Sequence, residues 1–367
     1  MQIITQTLEN FIPGYPIEKL APADQILFID IETTGFTAKT SFLYLIGCAF
    51  YKDNSWQLIQ WFAENYTEEK DILTAFFTLA ADYPYLVHFN GNNFDLPFLL
   101  QKCIQFELPY DFSHMEGIDL YRRVSPFKFF LKLENCKQKT IEQFLGIKRE
   151  DTFSGGELIS LYHDYVKEPD ETTAGLLLLH NAEDIQGMMQ CLPILAYGDL
   201  LCTPLKVKKV QANSYRNING EKCKELYMYV VPPVALPVPI SYTSNDCYFK
   251  GEQDLITLKV PLIEAEMKYF YANYKDYYYL PAEDVALHKS VASFVEKEHR
   301  QQATAHNCYT RKQSEYLPQW DRLFSPLFTK DYDSKEYYFE LTDEMKKDRQ
   351  AFNQYAQHVL CMMVENY

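Results

Sequence analysis

The sequence lacks paired cysteines, long apolar runs and a basic leader. Its nine cysteines are spread from Cys48 to Cys361 without a Cys-x-x-Cys pair, which argues against a disulfide framework or a zinc site and predicts reduced thiols. No apolar run approaches the roughly 20 residues that cross a membrane. The N-terminal stretch MQIITQTLENFIPGYP carries an acid and prolines where a signal peptide has a basic and then an apolar segment. We therefore predict a cytoplasmic protein that does not span a membrane.

The chain also lacks the positive charge that is typical of proteins that coat nucleic acid. Its net charge is −15, and phosphate contacts need Lys and Arg. Residues 24–200 hold 26 acids and 13 bases, whereas residues 205–367 hold 22 and 21. Eight of those 13 bases lie in residues 122–149, interleaved with aromatic residues. This basic segment either contacts phosphates and stacks on bases, or is a solvated helix face with Phe129 and Leu133 turned inward.

The first half of the chain predicts an α/β domain. Residues 28–36, FIDIETTGF, predict a buried strand, and two further apolar runs around a polar turn at 52–54 continue it as a meander. Apolar residues have helical spacing in residues 66–82, and residues 84–91, PYLVHFNG, predict a fourth strand followed by a helix. A later helix covers residues 172–191. This order of strands and helices indicates an α/β sheet.

The composition changes near residue 203, where we place a domain boundary. Residues 230–240, VVPPVALPVPI, hold four prolines, too many for a central strand or a helix. Further along, the pattern predicts a helix within residues 282–302 and a final amphipathic helix from about 342 to 365. The predicted division is an N-terminal extension (1–23), an α/β domain (24–203) and a smaller α+β domain of unknown function (204–367).

Two carboxylates lie two positions apart in the first predicted strand. Because side chains alternate along a strand, Asp30 and Glu32 point to the same face, while Ile29 and Ile31 pack on the other. Burying two ionised carboxylates side by side is costly unless a cation lies between them. The pair therefore indicates a metal site. The alternative is that the strand ends at Asp30 and that Glu32 lies in a solvated turn before Gly35.

Two further motifs carry acids. Asp95, in HFNGNNFDLPFL, follows the fourth strand at the start of a helix, where it is either a capping residue or a further ligand. His180 and Asp184, in HNAEDIQGMMQ, lie four positions apart on a predicted helix and therefore share one face. Taken alone, a histidine of this kind is usually an ordinary core or surface residue.

The order of these motifs resembles that of the ribonuclease H-like 3′→5′ exonucleases named DEDD for their four acids. FIDIETTG resembles their first motif, NGNNFDLP their second and HNAED their third. The segment KQKTIEQFLGIKREDTFSGGELISLYHDYV resembles the matching segment of the bacterial YprB-like branch. The resemblance covers about residues 24–200. It implies a ribonuclease H-like mixed sheet that is flanked by helices.

The resemblance also implies a role for each residue. Asp30, Glu32, Asp95 and Asp184 become ligands of two Mg²⁺ or Mn²⁺ ions, and His180 positions or deprotonates the attacking water. One departure is that three residues separate His180 from Asp184, whereas the histidine subclass has four. The implied partner is DNA or RNA at a 3′ end, with no organic cofactor. The alternatives are a weak or inactive module that binds nucleic acid or protein, and endonucleolytic cleavage with the same metals.

Overall fold

The computed structural model describes residues 1–151, 153 and 155–365. The chain folds into two compact units, Met1–Gly198 (unit 1) and Asp199–Tyr367 (unit 2). Within the described residues, no helix has both the length and the apolar character that a membrane span needs. The division near residue 203 into domains with separate functions stays a prediction.

A six-stranded mixed sheet lies at the centre of unit 1. Its strands are β1 (Gln2–Leu8), β2 (Ile26–Thr33), β3 (Leu43–Lys52), β4 (Ser55–Phe62), β5 (Tyr85–His88) and β6 (Glu116–Asp119). The order across the sheet is β1-β4-β3-β2-β5-β6, antiparallel from β1 to β2 and parallel from β2 to β6. The predicted meander and fourth strand are confirmed. β1 is an edge strand within the predicted extension, and its mostly exposed residues gave no strand pattern.

Helices cover both faces of this sheet. They are α1 (Glu69–Ala80), α2 (Asp95–Gln105), α3 (Leu120–Val124), α4 (Gln138–Leu145), α5 (Gly155–Lys167) and α6 (Glu171–Gln190), and α7 (Ala196–Cys202) carries the boundary between the units. Ile29 and Ile31 of β2 pack in one core with α1 and α2. Because side chains alternate along β2, Asp30 and Glu32 lie on the opposite face, which packs against α6. The predicted mixed sheet with flanking helices is confirmed.

Unit 2 is the smaller α+β unit that the sequence predicts. Its elements are β7 (Lys206–Arg216), β8 (Lys222–Val231), β9 (Leu236–Ser244), β10 (Cys247–Gln253), β11 (Leu255–Phe270), β12 (Tyr277–Leu280), β13 (Val285–His288), α8 (Lys289–Ala292), β14 (Gln301–Gln302), β15 (Tyr309–Gln319), β16 (Tyr337–Glu340) and α9 (Arg349–Glu365). In the seven-stranded sheet, the first part of β11 pairs with β8 and β10 and the second part with β15. β7, β9 and β16 extend this sheet at the outer sides of β8, β10 and β15. A three-stranded sheet has the order β13-β12-β14.

Two expectations for unit 2 need correction. The helix predicted within residues 282–302 is wrong: this segment forms β13, the short α8 and β14. β12 offers β13 a full antiparallel partner, and such pairing outweighs local helix propensity. The last helix begins at Arg349 and not near 342, because the Asp348 carboxylate accepts the N–H groups of Gln350 and Ala351 and caps the helix there.

Candidate active site

The acid pair of β2 lies inside the strand. β2 continues through Glu32 to Thr33, and the Glu32 side chain is only 12% exposed. The alternative of a strand that ends at Asp30, with Glu32 in a solvated turn, is therefore wrong. Both carboxylates lie on the face of β2 that packs against α6.

The Asp30 carboxylate is held by an amide on α6. Asn181 Nδ2 donates a hydrogen bond of 2.8 Å to Asp30 Oδ2, and Gln60 Nε2 donates one of 2.9 Å to Asn181 Oδ1. Gly47 is the residue of β3 that pairs with Asp30. A Cβ at position 47 would overlap Asn181 Oδ1 and Ile185 Cδ1, so the glycine lets α6 approach the sheet.

Asp95 is the first residue of α2 and does not cap it. The capping position is Phe94, whose side chain makes no capping bond. The Asp95 side chain is buried, and it accepts hydrogen bonds from the backbone N–H groups of Asp95 itself and of Ile31 on β2. The interpretation of Asp95 as a simple helix cap is therefore wrong. Asp95 is therefore bound to β2, the strand that holds Asp30 and Glu32.

His180 and Asp184 lie on one face of α6, as their spacing predicts. His180 Nε2 is 3.2 Å from Asp184 Oδ2 and 3.6 Å from Glu32 Oε1. Ligand atoms of these three residues all lie within 4.8 Å of one another. Residues from β2 and α6 that are far apart in sequence thus present their ligand atoms to one place.

A loop acid that the sequence analysis missed orients the histidine. Asp151 Oδ2 lies 2.7 Å from His180 Nδ1. Burial raises the pKa of Asp151, but hydrogen bonds from the Phe153 N–H and from His180 outweigh burial and lower it. Glu183 on α6 accepts the N–H groups of Glu150 and Asp151 at 2.8 and 2.9 Å and so fixes the loop. The ionised Asp151 therefore accepts the Nδ1 hydrogen, which leaves Nε2 turned to the acids.

Two bases of the basic segment reach the site: Lys139, whose Nζ lies 3.8 Å from Asp151 Oδ2, and Arg149. Arg149 Nη1 donates to Asp184 Oδ1 at 2.5 Å, and its Nε and Nη2 donate to both oxygens of the buried Glu142 at 2.5 Å. One interpretation of the segment had Phe129 and Leu133 turned inward. Leu133 is buried, as this interpretation predicts, but Phe129 is 56% exposed, which contradicts it. Nucleic-acid contact by the segment stays a prediction.

Asp119, at the end of β6, holds the loop that leads to Asp95. Its Oδ1 accepts the Asn90 N–H at 2.9 Å and the Tyr121 N–H at 3.0 Å, and its Oδ2 accepts the side-chain amide of Asn92 at 3.2 Å. These bonds bind the loop after β5 to the neighbouring parallel strand. The sequence signal was an acid just before a short helix, which alone indicates only a cap.

The carboxylates of the cluster raise one another's pKa. Burial raises the pKa of Asp30 and of Glu32 well above their ordinary values, and in each case Asp184 is the next largest cause. Burial also raises the pKa of Asp95, from 3.8 to about 7, while its backbone hydrogen bonds lower it. Among the described residues, Arg149 is the cation that pairs directly with a member of this cluster. When all four acids are ionised, their negative charge therefore exceeds what this one guanidinium offsets.

This set of ligand atoms suits a hard divalent cation. Carboxylate oxygens are preferred by Mg²⁺ and Mn²⁺, whereas structural zinc sites use thiolates and imidazoles in a closed shell. Burial and the neighbouring carboxylates raise the pKa of these acids, so their ionised forms are unfavourable without a further positive charge. Divalent cations would supply that charge, so the residues present fit such ions.

The fold of unit 1 is that of a ribonuclease H-like α/β domain. Residues 27–192 match the family model of the RNase_H superfamily, and this segment contains all five candidate residues.

Several known proteins are similar to parts of this chain. "DNA polymerase 1" of Sulfurisphaera ohwakuensis is 31% identical in an alignment of 71 residues, and the match covers 16% of this chain and 8% of that protein. A family B DNA polymerase from Pyrobaculum calidifontis is similar at 14% identity, over 49% of this chain and 26% of that one, with a TM-score of 0.39. E. coli Exonuclease I in complex with a dT13 oligonucleotide is similar at 13% identity, over 56% and 55% of the two chains, with a TM-score of 0.28. The chain thus spans little of the curated polymerase and about half of Exonuclease I.

Proposed function

We propose that residues 24–203 form a metal-dependent nuclease that hydrolyses phosphodiester bonds of DNA or RNA. The observation that carries the proposal is the grouping of Glu32, His180 and Asp184, whose ligand atoms lie within 4.8 Å of one another. Asn181 of α6 holds Asp30, and the charge of Asp184 adds to burial in raising the pKa of both Asp30 and Asp95. The five proposed site residues are Asp30, Glu32, Asp95, His180 and Asp184. The RNase_H superfamily match over residues 27–192 supports this class of enzyme.

The four acids are the proposed ligands of two Mg²⁺ or Mn²⁺ ions. When bound, such ions act as Lewis acids for attack on a phosphodiester and for departure of the leaving oxygen. The protein's part is to keep Asp30, Glu32, Asp95 and Asp184 oriented. Asn181 holds Asp30, and the Ile31 N–H holds Asp95.

His180 is the proposed general base. The Asp151 carboxylate accepts the hydrogen of Nδ1, so the proposed proton acceptor is Nε2, which lies on the side of Glu32 and Asp184. An imidazole exchanges protons near neutral pH, which suits proton removal from an attacking water. The i, i+4 spacing of His180 and Asp184 places both side chains at the cluster despite the departure from the four-residue pattern.

The proposed direction of cleavage is from a 3′ end. This direction rests on the resemblance of the three motifs to the DEDD exonucleases and not on geometry. The alternative of an inactive scaffold is less well supported, because buried acids without a counter-charge destabilise a fold and a scaffold has no use for them. Endonucleolytic cleavage would use the same acids, and the products distinguish the two.

The test is hydrolysis of end-labelled oligonucleotides by the full chain. Single- and double-stranded DNA and RNA are incubated with Mg²⁺, with Mn²⁺ and with EDTA, and the products of 5′-labelled strands are separated by length. We expect a ladder that shortens from the 3′ end, that needs the metal and that is abolished by Asp184→Asn. Asp164→Asn, a change of an exposed acid on α5, is the matched control and should leave activity intact. A purified chain that is inert on every substrate would defeat the proposal.

A further inference from the structure

One face of the unit 2 sheet presents tyrosines and lysines side by side. Residues of β8 alternate: Leu226, Met228 and Val230 are buried on the inner face, so the residues between them point outward. The pairing of β7, β8, β11 and β10 brings outward residues of all four strands together. We define the tyrosine–lysine face as Lys209, Tyr227, Tyr229, Tyr248 and Lys259.

The side chains of this face contact one another closely. Lys259 pairs with Tyr227 on one side and with Tyr248 on the other, and its Nζ lies 4.9 and 5.0 Å from the two ring centroids. Lys209 Nζ lies 5.7 Å from the Tyr229 ring. The rings of Tyr227 and Tyr229 are 6.4 Å apart. The five side chains thus alternate in charge and aromatic character across four strands, and the three tyrosines are half-buried rather than covered.

The charge of this region is positive although the chain is acidic. Strand β7 holds four bases, Lys206, Lys208, Lys209 and Arg216, and no acid. In the described part of the chain, no carboxylate lies within ion-pair distance of Lys209 or Lys259. Their ammonium groups are therefore available to an anionic ligand.

The face continues into a cleft. Beyond Tyr227, the next outward residue of β8 is Glu225, which pairs with Pro261 of β11. These two residues help to line a cleft of about 510 Å³, whose other charged side chains are Lys222, Lys224, Asp246 and Glu264. Because its three carboxylates outnumber its two lysines, the cleft does not extend the positive charge of the face, and the face itself is the candidate site.

An ordinary structural role accounts for part of this pattern. Lysines on an edge strand such as β7 deter pairing with other chains, and tyrosines are common in strands. Neither reason applies to Lys259, which lies on a central strand between two tyrosines and has no carboxylate partner among the described residues. Lysines beside accessible rings suit a ligand that carries both phosphates and planar groups.

We propose that the tyrosine–lysine face binds single-stranded nucleic acid. Bases stack on Tyr227, Tyr229 and Tyr248, while Lys209 and Lys259 bind the phosphates between them, which is how sequence-tolerant single-strand sites work. A sheet face can carry such stacked bases. The choice of ligand rests on the proposed nuclease function, since a nuclease needs a strand to be held. The test below measures binding apart from cleavage.

The experiment measures fluorescence anisotropy of a fluorescein-labelled oligothymidylate titrated with the full chain in EDTA. The tyrosine variant is Tyr227→Thr/Tyr229→Thr, which keeps strand-forming residues, and its control is Tyr332→Thr at a half-exposed tyrosine elsewhere in unit 2. We expect at least a roughly five-fold rise in Kd for the tyrosine variant. The control should bind as the parent does.

A charge variant keeps the test valid if the tyrosine variant fails to fold, as circular dichroism would show. Lys209→Gln/Lys259→Gln should lower the slope of log affinity against log salt concentration by about 1.4, because each phosphate contact to a single strand contributes about 0.7. Lys275→Gln, at an exposed lysine, is its control.

The results separate this proposal from the nuclease proposal. The proposed binding by the tyrosine–lysine face is wrong if both face variants bind the oligonucleotide as the parent does. It is also wrong if the parent does not bind in EDTA although metal-dependent cleavage persists. Neither result contradicts the proposed nuclease activity. If the face variants lose binding but the chain cleaves no substrate, the proposed binding site is supported and the proposed nuclease activity is wrong.

Discussion

Removing one buried carboxylate of the acidic cluster should stabilise the fold when no metal is bound. The pKa of Asp95 is raised from 3.8 to about 7 in the folded chain, chiefly by burial. Below about pH 3 this carboxyl is protonated in both the folded and the unfolded state, so it carries no penalty. Above about pH 7 it is ionised in both states, and the difference of about 3 pKa units corresponds to at most about 4 kcal/mol of lost stability. Stability therefore falls as the pH rises between these values.

Asp95→Asn should remove this penalty while an amide oxygen still accepts the Ile31 N–H. In EDTA at about pH 8, we expect its free energy of unfolding to exceed that of the parent by up to about 4 kcal/mol, and at about pH 4 the difference should shrink to less than about 1 kcal/mol. With Mg²⁺ at about 100 times its Kd, the parent should gain about 2.7 kcal/mol and the variant clearly less.

The assay is urea unfolding followed by tryptophan fluorescence. Trp56 and Trp61 lie in unit 1, so a Trp320→Phe background restricts the signal to the unit that holds the cluster. Asp82→Asn, at an exposed acid, is the matched control and should shift stability little at either pH. A variant that is less stable than the parent at about pH 8, or a difference that does not change with pH, would refute the reasoning.

Three further changes test other contacts. Arg149→Met leaves the buried Glu142 without its cation, and we expect a loss of about 3–5 kcal/mol by thermal or urea unfolding, which a second change of Glu142 to Leu should largely restore. Gly47→Ala adds a Cβ against α6 and should cost about 1–3 kcal/mol, whereas Gly175→Ala, with open space around it, should not destabilise; equal effects would contradict the close approach. Asp151→Asn should lower kcat and shift the pH–rate profile while metal binding by calorimetry is unchanged, and a loss of metal binding instead would make Asp151 a ligand.

The parts of the site that follow a local period could be predicted from the sequence. Asp30 and Glu32 share a face because strands repeat every two residues, and His180 and Asp184 share one because helices repeat every 3.6. Asp151 could not be found in this way. Its contact with His180 joins a loop to α6 through backbone bonds to Glu183, and no spacing within the sequence encodes that contact.

The elements of the fold that have a strong local pattern could likewise be predicted, whereas those that depend on distant partners could not. The apolar runs of β2 to β4 were sufficient to predict the meander, because those strands are buried and their patterns are strong. Edge strand β1 and the small strand β13 depend on partners that lie far away or form only on pairing, so local propensity misjudged both. Asp95 was placed correctly at a helix start, but its bond to the Ile31 N–H shows only in three dimensions.

The salt bridge between Arg149 and Asp184 indicates that the acidic cluster can form before a cation binds. A guanidinium from the same chain already offsets one acid, while Asn181 and the Ile31 N–H hold two others by hydrogen bonds. The polypeptide therefore carries enough internal partners to gather its acids during folding without an ion as template. In small zinc domains, by contrast, folding is coupled to metal binding. The proposed cations would therefore bind after folding and reversibly, and chelators should remove them without unfolding the chain.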